Sequence, residues 1–269
     1  MRKAYATLLC GGDGYVPGAE ALGKSLEATG TTAPRLALVT ADVTPAGRAL
    51  LVRQGWTLRD VSPLENPNPL RAQLLPRFHD VFTKLRVWEL VEFERVVFLD
   101  ADTVVLQNVD DLFERPEFAA APDFFLPDRF NSGVMVLEPS AERLAKMVTE
   151  LATAESYDGG DQGFLNTHFA NWYAKPVEQR LPIGYNMAHF IYQFLHGHPS
   201  TRERLEREVK ILHFLVQKPW RARSMLTGAS AIWWSKFFDA HPEQARPWRT
   251  SLHALEDWTF DHLAGSVVG

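Results

Sequence analysis

The chain has few cysteines, no long apolar segment and no excess of basic residues. Cys10 is its single cysteine among 269 residues, so a disulfide within the chain is impossible. This usage is compatible with a reducing compartment, and we expect a cytoplasmic protein. No apolar run approaches the roughly 20 residues of a transmembrane helix, so we expect no membrane span. A net charge of −5 argues against a nucleic-acid partner, which would favour a basic face.

The N-terminus has two interpretations. Two basic residues precede a short apolar stretch that ends at Cys10, which resembles a very short signal peptide or a lipoprotein cysteine site. The stretch is at the lower length limit for such a signal, and it contains Tyr5 and Thr7. A first β-strand over 5–9, ending at a glycine-rich turn, is the better prediction.

Hydrophobic periodicity predicts alternating strands and helices in the first half of the chain. Such alternation is typical of a mostly parallel sheet with helices on both faces. The predicted elements there are strand 5–9, helix 19–29, strand 35–40, helix 45–54, strand 56–61, loop 62–69, helix 83–93 and strand 96–99. The second half is mixed, with strand 132–137, helix 141–153, a turn at 158–160, strand 209–214 and helices over about the last 50 residues.

The most informative segment is the apolar run 96–99, which is followed directly by Asp100 and Asp102. The run predicts a buried strand, and its two carboxylates would face the space beyond the carboxyl end, where open α/β sheets bind ligands. Paired carboxylates repel each other unless a proton or a cation lies between them, and Mg²⁺ or Mn²⁺ suits such oxygen ligands. The pattern is short and also occurs in solvated turns, so both interpretations stand.

Further clusters contain side chains that can bind a ligand. Tyr15, after the glycine-rich turn, could stack on a base, and Asn131 with Ser132 could bind sugar hydroxyls. Asp161 and Gln162 could hold a sugar and stabilise positive charge at its anomeric carbon. Each also has a structural interpretation as a core tyrosine, a turn or a helix cap.

The last cluster ends a predicted strand. His213 could be a third metal ligand through a neutral imidazole, and Lys218 could neutralise a phosphate. The alternatives are a hydrogen-bonded core histidine and a solvated lysine.

In chain order, six motifs resemble those of the glycogenin-like enzymes of glycosyltransferase family eight. The resemblance extends from the first strand to about Trp220. Its motifs are Thr83-Lys84-Leu85, Phe98-Leu99-Asp100-Ala101-Asp102-Thr103, Asp110-Asp111-Leu112-Phe113, Phe130-Asn131-Ser132-Gly133-Val134, Asp158-Gly159-Gly160-Asp161-Gln162-Gly163, and His213-Phe214-Leu215 with Lys218-Pro219-Trp220.

The resemblance implies an α/β fold of the GT-A type, which is Rossmann-like, with a mixed, mostly parallel sheet flanked by helices and a C-terminal helical segment. It implies one domain over 1–269, with a nucleotide-binding half (1–103), a sugar and acceptor half (104–220) and C-terminal helices (221–269). It also implies a UDP-sugar donor, Mn²⁺ (or Mg²⁺) and transfer of a hexose with retention. The acceptor would be a sugar, a polyol, a lipid or a protein tyrosine, and the protein could be a homodimer.

The resemblance also implies roles for individual residues. It assigns metal ligation to Asp100, Asp102 and His213, and catalytic roles to Asp161, Gln162 and Lys218. The donor would be bound by Leu8, Tyr15, Lys84, Asp100, Ala101, Asn131, Ser132, Asp158 and Lys218.

Two positions need separate comment. Val216 stands where the family has a glycine, and the segment between His213 and Lys218 is one residue shorter than in the family. This departure leaves the geometry of the phosphate contact open. Tyr192 falls near the tyrosine that glycogenin itself glycosylates, and a buried aromatic residue is the alternative there.

Two rival functions remain open on the sequence. A haloacid-dehalogenase-type phosphatase also has an apolar strand followed by Asp-x-Asp-x-Thr, with Asp100 as nucleophile and Asp102 as acid and base. That family usually carries the motif on its first strand, and this interpretation leaves His213 and Asp161 without a role. The other rival is a non-catalytic protein that binds sugar nucleotides or glycans on the same fold.

Overall fold

A computed structural model describes residues 2–67, 80–221 and 228–240 of the protein. Its strands form two sheets. The strands are β1 Lys3–Leu9, β2 Arg35–Val39, β3 Thr57–Asp60, β4 Arg95–Leu99, β5 Thr103–Val105, β6 Ala119–Pro122, β7 Phe130–Leu137, β8 Met187–Ala188 and β9 Ile211–His213.

The larger sheet has six strands in the order β3-β2-β1-β4-β7-β6. The first four strands are parallel, whereas β7 runs antiparallel to both β4 and β6. A smaller sheet has the order β5-β9-β8. The prediction of a mixed, mostly parallel sheet is therefore confirmed.

Helices flank this sheet. They are α1 Val16–Ala28, α2 Pro45–Arg53, α3 Ala141–Glu150, α4 Asp161–His168, α5 His189–His196, α6 Pro199–Glu208 and α7 Gly228–Ala240. Local sequence explains several boundaries. Thr44 caps α2 by accepting a hydrogen bond from the Gly47 amide, and Pro45 takes the first helical position, as predicted. Short 3-10 helices lie at Asp13–Tyr15, Val81–Glu89, Asp110–Glu114, Trp172–Ala174, Val177–Gln179, Ile183–Tyr185 and Pro219–Arg221.

Some predicted elements differ from the structure. The predicted helix 83–93 is the 3-10 helix Val81–Glu89, because apolar residues that recur every three positions fit either helix type. The predicted strand 209–214 is shortened to β9. No sequence pattern predicts β5, β6 or β8, which are only two to four residues long. Of the predicted C-terminal helices, only α7 is described, since 222–227 and 241–269 lie outside the described residues, as do 68–69 of the predicted loop.

The strand before the carboxylate pair is buried on both faces, as predicted. Val97 and Leu99 pack in a cluster with α1, whereas Val96 and Phe98 pack in a second cluster with the 3-10 helix Val81–Glu89. All four side chains are fully buried. Both layers therefore fix the end of β4, and with it the residues that follow. The division of the chain at 103 and 220 stays a prediction.

Strand directions bring distant segments to one edge of the sheet. The parallel strands β1 and β4 end at this edge, and the antiparallel β7 begins there, with the Asp100 amide 2.8 Å from the Gly133 carbonyl oxygen. In the small sheet, His213 pairs with Thr103. The next amide, that of Phe214, donates to the carbonyl of Asp102 at 2.9 Å. His213 is thereby held beside the carboxylate pair.

Among the helices of the described residues, none combines the length and the apolar character that crossing a lipid bilayer requires.

Candidate active site

A cavity of about 840 Å³ opens at this edge of the sheet. It is lined by every residue that the sequence analysis singled out for the site, from segments far apart in the chain. These residues are Leu8, Tyr15, Lys84, Asp100, Ala101, Asp102, Asn131, Ser132, Asp158, Asp161, Gln162, His213 and Lys218. The structure therefore brings the whole predicted set together, while the role of each residue stays a prediction.

Three acceptor atoms converge at the centre of the cavity. The His213 Nε2 atom lies 3.2 Å from Asp102 Oδ1 and 3.8 Å from Asp100 Oδ2. One ligand atom from each of these three residues lies within 4.8 Å of the others. Two carboxylate oxygens and one imidazole nitrogen are metal ligands that suit Mn²⁺ or Mg²⁺.

A chain of hydrogen bonds fixes the protonation of the His213 ring. The Asp123 carboxylate can only accept, so Asn131 presents its Nδ2 group there at 3.1 Å. Asn131 Oδ1 then accepts from Asn186 Nδ2 at 2.8 Å, and Asn186 Oδ1 faces His213 Nδ1 at 2.8 Å. His213 Nδ1 must therefore carry the proton.

His213 Nε2 then faces both carboxylates, as an N–H group when the ring is cationic and with a free lone pair when the ring is neutral. Acceptor atoms at these separations repel one another unless a proton or a cation lies between them. The ligand atoms of Asp100, Asp102 and His213 therefore fit a divalent cation.

The two carboxyl groups differ in their electrostatic surroundings. Burial raises the pKa of Asp100, even though the Lys84 ammonium opposes this shift. Burial also disfavours the charged form of Asp102, but the His213 ring and the Lys218 ammonium outweigh it and lower the pKa of Asp102.

Lys84 bridges Asp100 and Asp161, the first residue of α4. Its ammonium group lies 3.0 Å from Asp100 Oδ1 and 2.8 Å from Asp161 Oδ2, and it donates to Ser132 Oγ at 3.2 Å. Burial alone would lower the pKa of Lys84, but the carboxylates of Asp100 and Asp161 outweigh it and the pKa is raised. Lys84 is therefore a permanent positive charge between the two carboxylates.

Gln162 is held in place by three groups. Its Oε1 accepts from the Ser132 amide at 3.3 Å, and its Nε2 donates to Asp123 Oδ2 at 3.2 Å and to the Tyr157 hydroxyl at 2.9 Å. Asp123 thus anchors both Gln162 and Asn131. An amide held on several sides can position a substrate without first reorganising.

Asp158, rather than Asp161, stabilises the start of α4. Its Oδ1 atom accepts from the amides of Gly160 and Gly163, at 2.8 and 3.0 Å. The interpretation of Asp161 as a helix cap is wrong, since its carboxylate contacts Lys84 and Ser132 instead. Asp158 still borders the cavity, so its predicted donor contact remains a proposal.

Several residues of the site escaped the sequence analysis. Asp123 and Asn186 belong to no short motif, and only the fold brings them to Asn131. Arg221 lines the cavity beside Tyr15, with its guanidinium 5.4 Å from the centre of the tyrosine ring. Its position directly after the Lys218-Pro219-Trp220 motif was the one available signal for Arg221.

The segment that departs from the family pattern retains a left-handed backbone turn. Val216 has φ 65°, in the region where glycine is favoured and a β-branched residue is strained. Its side chain is exposed at the rim of the cavity. Lys218 nevertheless reaches the site, where it contacts the Asp102 carboxylate and donates to the Phe214 carbonyl at 2.8 Å. The substitution therefore leaves the lysine in place.

Replacing Val216 with glycine should raise the free energy of unfolding by about 1 kcal/mol, because it removes the strain of a left-handed valine. Urea denaturation measures this change. Val216→Ala is the matched control, since it keeps a β-carbon in the same backbone conformation and should gain less. Equal effects of the two substitutions would show that backbone strain is not the cause.

Tyr192 does not line the cavity. It lies on α5, is buried in the cluster beneath the small sheet, and stacks on His196 with ring centres 5.0 Å apart. Burial raises its pKa to about 12. This placement matches the alternative of a buried aromatic residue and gives no support to self-glycosylation at Tyr192.

Comparison with solved structures identifies the class of fold. The galactosyltransferase LgtC, solved with donor and acceptor sugar analogues, superposes with a TM-score of 0.63 at 20% identity, covering 91% of this chain and 99% of LgtC. The glycosyltransferase GlyE of Streptococcus pneumoniae TIGR4 gives a TM-score of 0.59 at 21% identity, covering 93% of this chain and 65% of GlyE. The fold is that of the GT-A glycosyltransferases.

Sequence comparison finds similar proteins in one family. Residues 6–121 match the family described as glycosyl transferase family 8. Glycogenin-1 of Caenorhabditis elegans is 38% identical over 258 residues, covering 94% of this chain and 59% of that protein. Glycogenin-1 of Homo sapiens is 38% identical over 222 residues, covering 81% of this chain and 62% of that protein. The chain is thus similar to glycosyltransferase family 8 over its first part and to the glycogenins over most of its length, and it spans about three fifths of the length of these relatives.

Proposed function

We propose that the protein is a metal-dependent glycosyltransferase that transfers a hexose from a UDP-sugar to an acceptor, with retention at the anomeric carbon. One observation carries the proposal. A triad of acceptor atoms, two lysines and an anchored amide converge in one cavity, at the edge of the sheet where β1 and β4 end. Similarity to glycosyltransferase family 8 and to the glycogenins supports it.

The proposed metal site would stabilise the leaving group, UDP. Asp100, Asp102 and His213 would hold Mn²⁺ or Mg²⁺, which supplies positive charge to the diphosphate of the donor. Lys218, within contact of Asp102, would add a second positive charge as the glycosidic bond breaks. Tyr15 and Leu8 border the same cavity, where we place the uridine.

Asp161 and Gln162 would stabilise the donor sugar as its glycosidic bond breaks. Breaking the glycosidic bond builds positive charge at the anomeric carbon, which a carboxylate and an amide oxygen stabilise. The Lys84 ammonium group lies 2.8 Å from Asp161 Oδ2 and holds this carboxylate in position. We expect the departing phosphate oxygen to accept the proton of the attacking hydroxyl, so that the new bond forms on the face from which UDP leaves.

The family leaves the acceptor open. Relatives of the chain include an inositol phosphorylceramide glucuronosyltransferase and a xylan α-glucuronosyltransferase of Arabidopsis thaliana, in addition to the glycogenins. Their names specify a lipid and a polysaccharide. The acceptor of this protein must therefore be found from its own surface.

A panel of UDP-sugars with Mn²⁺ tests the proposal. Release of UDP from at least one of them, abolished by excess EDTA and restored by Mn²⁺, is the expected result. A non-catalytic binding protein would bind UDP-sugars without releasing UDP. Release of inorganic phosphate from phosphomonoesters would instead favour the phosphatase, which leaves His213 and Asp161 without a role.

A further inference from the structure

Five apolar side chains form an exposed surface beside the cavity, which we call the phenylalanine patch. Phe124, Phe125 and Leu126 are 40%, 66% and 44% exposed, and Phe194 is 79% exposed. The half-buried Phe190 joins the two segments, because its ring centre lies 5.5 Å from that of Phe124 and 6.3 Å from that of Phe125. Phe190 and Phe194 lie one helical turn apart on α5, and so on the same face.

The patch brings exposed phenylalanine side chains together, whereas the other phenylalanine side chains that the structure describes are buried or half-buried. Within the described part of the chain, the exposed phenylalanines are Phe124, Phe125 and Phe194, and all three belong to the patch. Apolar residues scattered singly over a surface are ordinary, whereas a contiguous group of them marks a binding site.

Hydrogen bonds at one end of the patch and ring stacking at the other link it to residues of the proposed active site. Asp123 accepts hydrogen bonds from the amides of Phe125 and Leu126, at 2.8 and 3.1 Å, and its other oxygen accepts from Gln162. At the other end, Phe190 follows His189, whose ring stacks on Phe214 directly after the metal-site histidine. The patch is therefore connected through Asp123 to Gln162, and Gln162 lines the cavity.

We propose that the phenylalanine patch binds the apolar aglycone of the acceptor. The inference rests on the proposed function, since it names the acceptor class of the same site. The side chains of the patch offer no hydrogen-bonding group, whereas Asp123, Gln162 and Tyr157 at its border offer several. An amphiphilic glycoside matches this division, with its sugar hydroxyls at the polar border and its alkyl or aryl group on the patch.

The test compares acceptors that differ only in their aglycone. With wild-type protein, Mn²⁺ and the active UDP-sugar, octyl β-glucoside below its micelle concentration should show a KM at least tenfold below that of methyl β-glucoside. Tenfold corresponds to burial of about two methylene groups. Phe125→Ser combined with Phe194→Gln should remove most of this difference and leave metal-dependent UDP release without acceptor unchanged.

Val52→Gln is the matched control. Val52 is 56% exposed on α2, which packs against β3 at the opposite edge of the sheet from β6. This variant should keep the preference for the octyl glycoside. Calorimetric binding of the two glucosides to wild type in the presence of UDP and Mn²⁺ gives a second readout that needs no turnover.

Equal KM values and equal binding of the two glucosides would overturn the inference about the aglycone. UDP release in the same assays would leave the proposed glycosyltransferase function intact. Absence of UDP release from every donor would contradict the proposed function itself. If the double variant changes the oligomeric state in light scattering but not the preference for the octyl glycoside, the patch is a contact between copies of the chain and the inference is wrong.

Discussion

Replacing Asp102 with asparagine is expected to lower metal-dependent UDP release by at least about a hundredfold. The carboxylate is the one group of the site that contacts both His213 and Lys218. An amide removes the negative charge that a cation needs, and it also removes the partner of the lysine. Steady-state assays at saturating Mn²⁺ measure the loss.

The matched control is Asp128→Asn, which removes an exposed carboxylate that pairs with Arg129 at 3.4 Å. It should keep wild-type activity. Near-ultraviolet circular dichroism checks that the Asp102 variant remains folded. Undiminished UDP release by this variant, or by wild type in excess EDTA, would contradict the metal site.

Replacing Gly133 with alanine should produce the second large effect, although glycine and alanine differ by one methyl group. A β-carbon at 133 would lie 2.2 Å from His213 Cε1 and 2.6 Å from its Nδ1 atom, and 2.9 Å from Asn131 Oδ1. The imidazole must shift, which disturbs its positions relative to the two carboxylates and to Asn186. We expect a tenfold to hundredfold loss of Mn²⁺ affinity, about the cost of removing an outer-shell partner of a metal ligand.

Overpacking should also lower the free energy of unfolding by about 1–3 kcal/mol. Gly197→Ala is the control, because a β-carbon there has its nearest neighbour at 3.6 Å, an ordinary contact. It should leave both quantities unchanged. Wild-type Mn²⁺ affinity in the Gly133 variant would show that His213 is not held as described.

The carboxylate pair illustrates how far the sequence alone could go. A run of four apolar residues was enough to predict a strand buried on both faces, and therefore two carboxylates at its end. The convergence of Lys84, Asp161 and His213 on that pair was predicted through motifs of the family, because none of these residues is close in sequence to the others.

The remaining features depend on long-range pairing that local patterns do not encode. His213 reaches the site through the pairing of β9 with β5, a three-residue strand that no local pattern predicts. Asp123 and Asn186 are linked through Asn131, which hydrogen-bonds to both although all three are far apart in the chain. The left-handed conformation of Val216 could not be read from a valine, which avoids it. These are the residues that orient the predicted ones.

Binding of Mn²⁺ followed by electron paramagnetic resonance tests the central claim most directly. We expect one Mn²⁺ per chain in the cavity, bound more tightly when UDP is added, because the nucleotide and the cation stabilise each other's binding. Asp102→Asn should abolish this mutual enhancement. Mn²⁺ binding that UDP does not strengthen, or that the Asp102 variant retains in full, would contradict a cation site that serves a UDP-sugar.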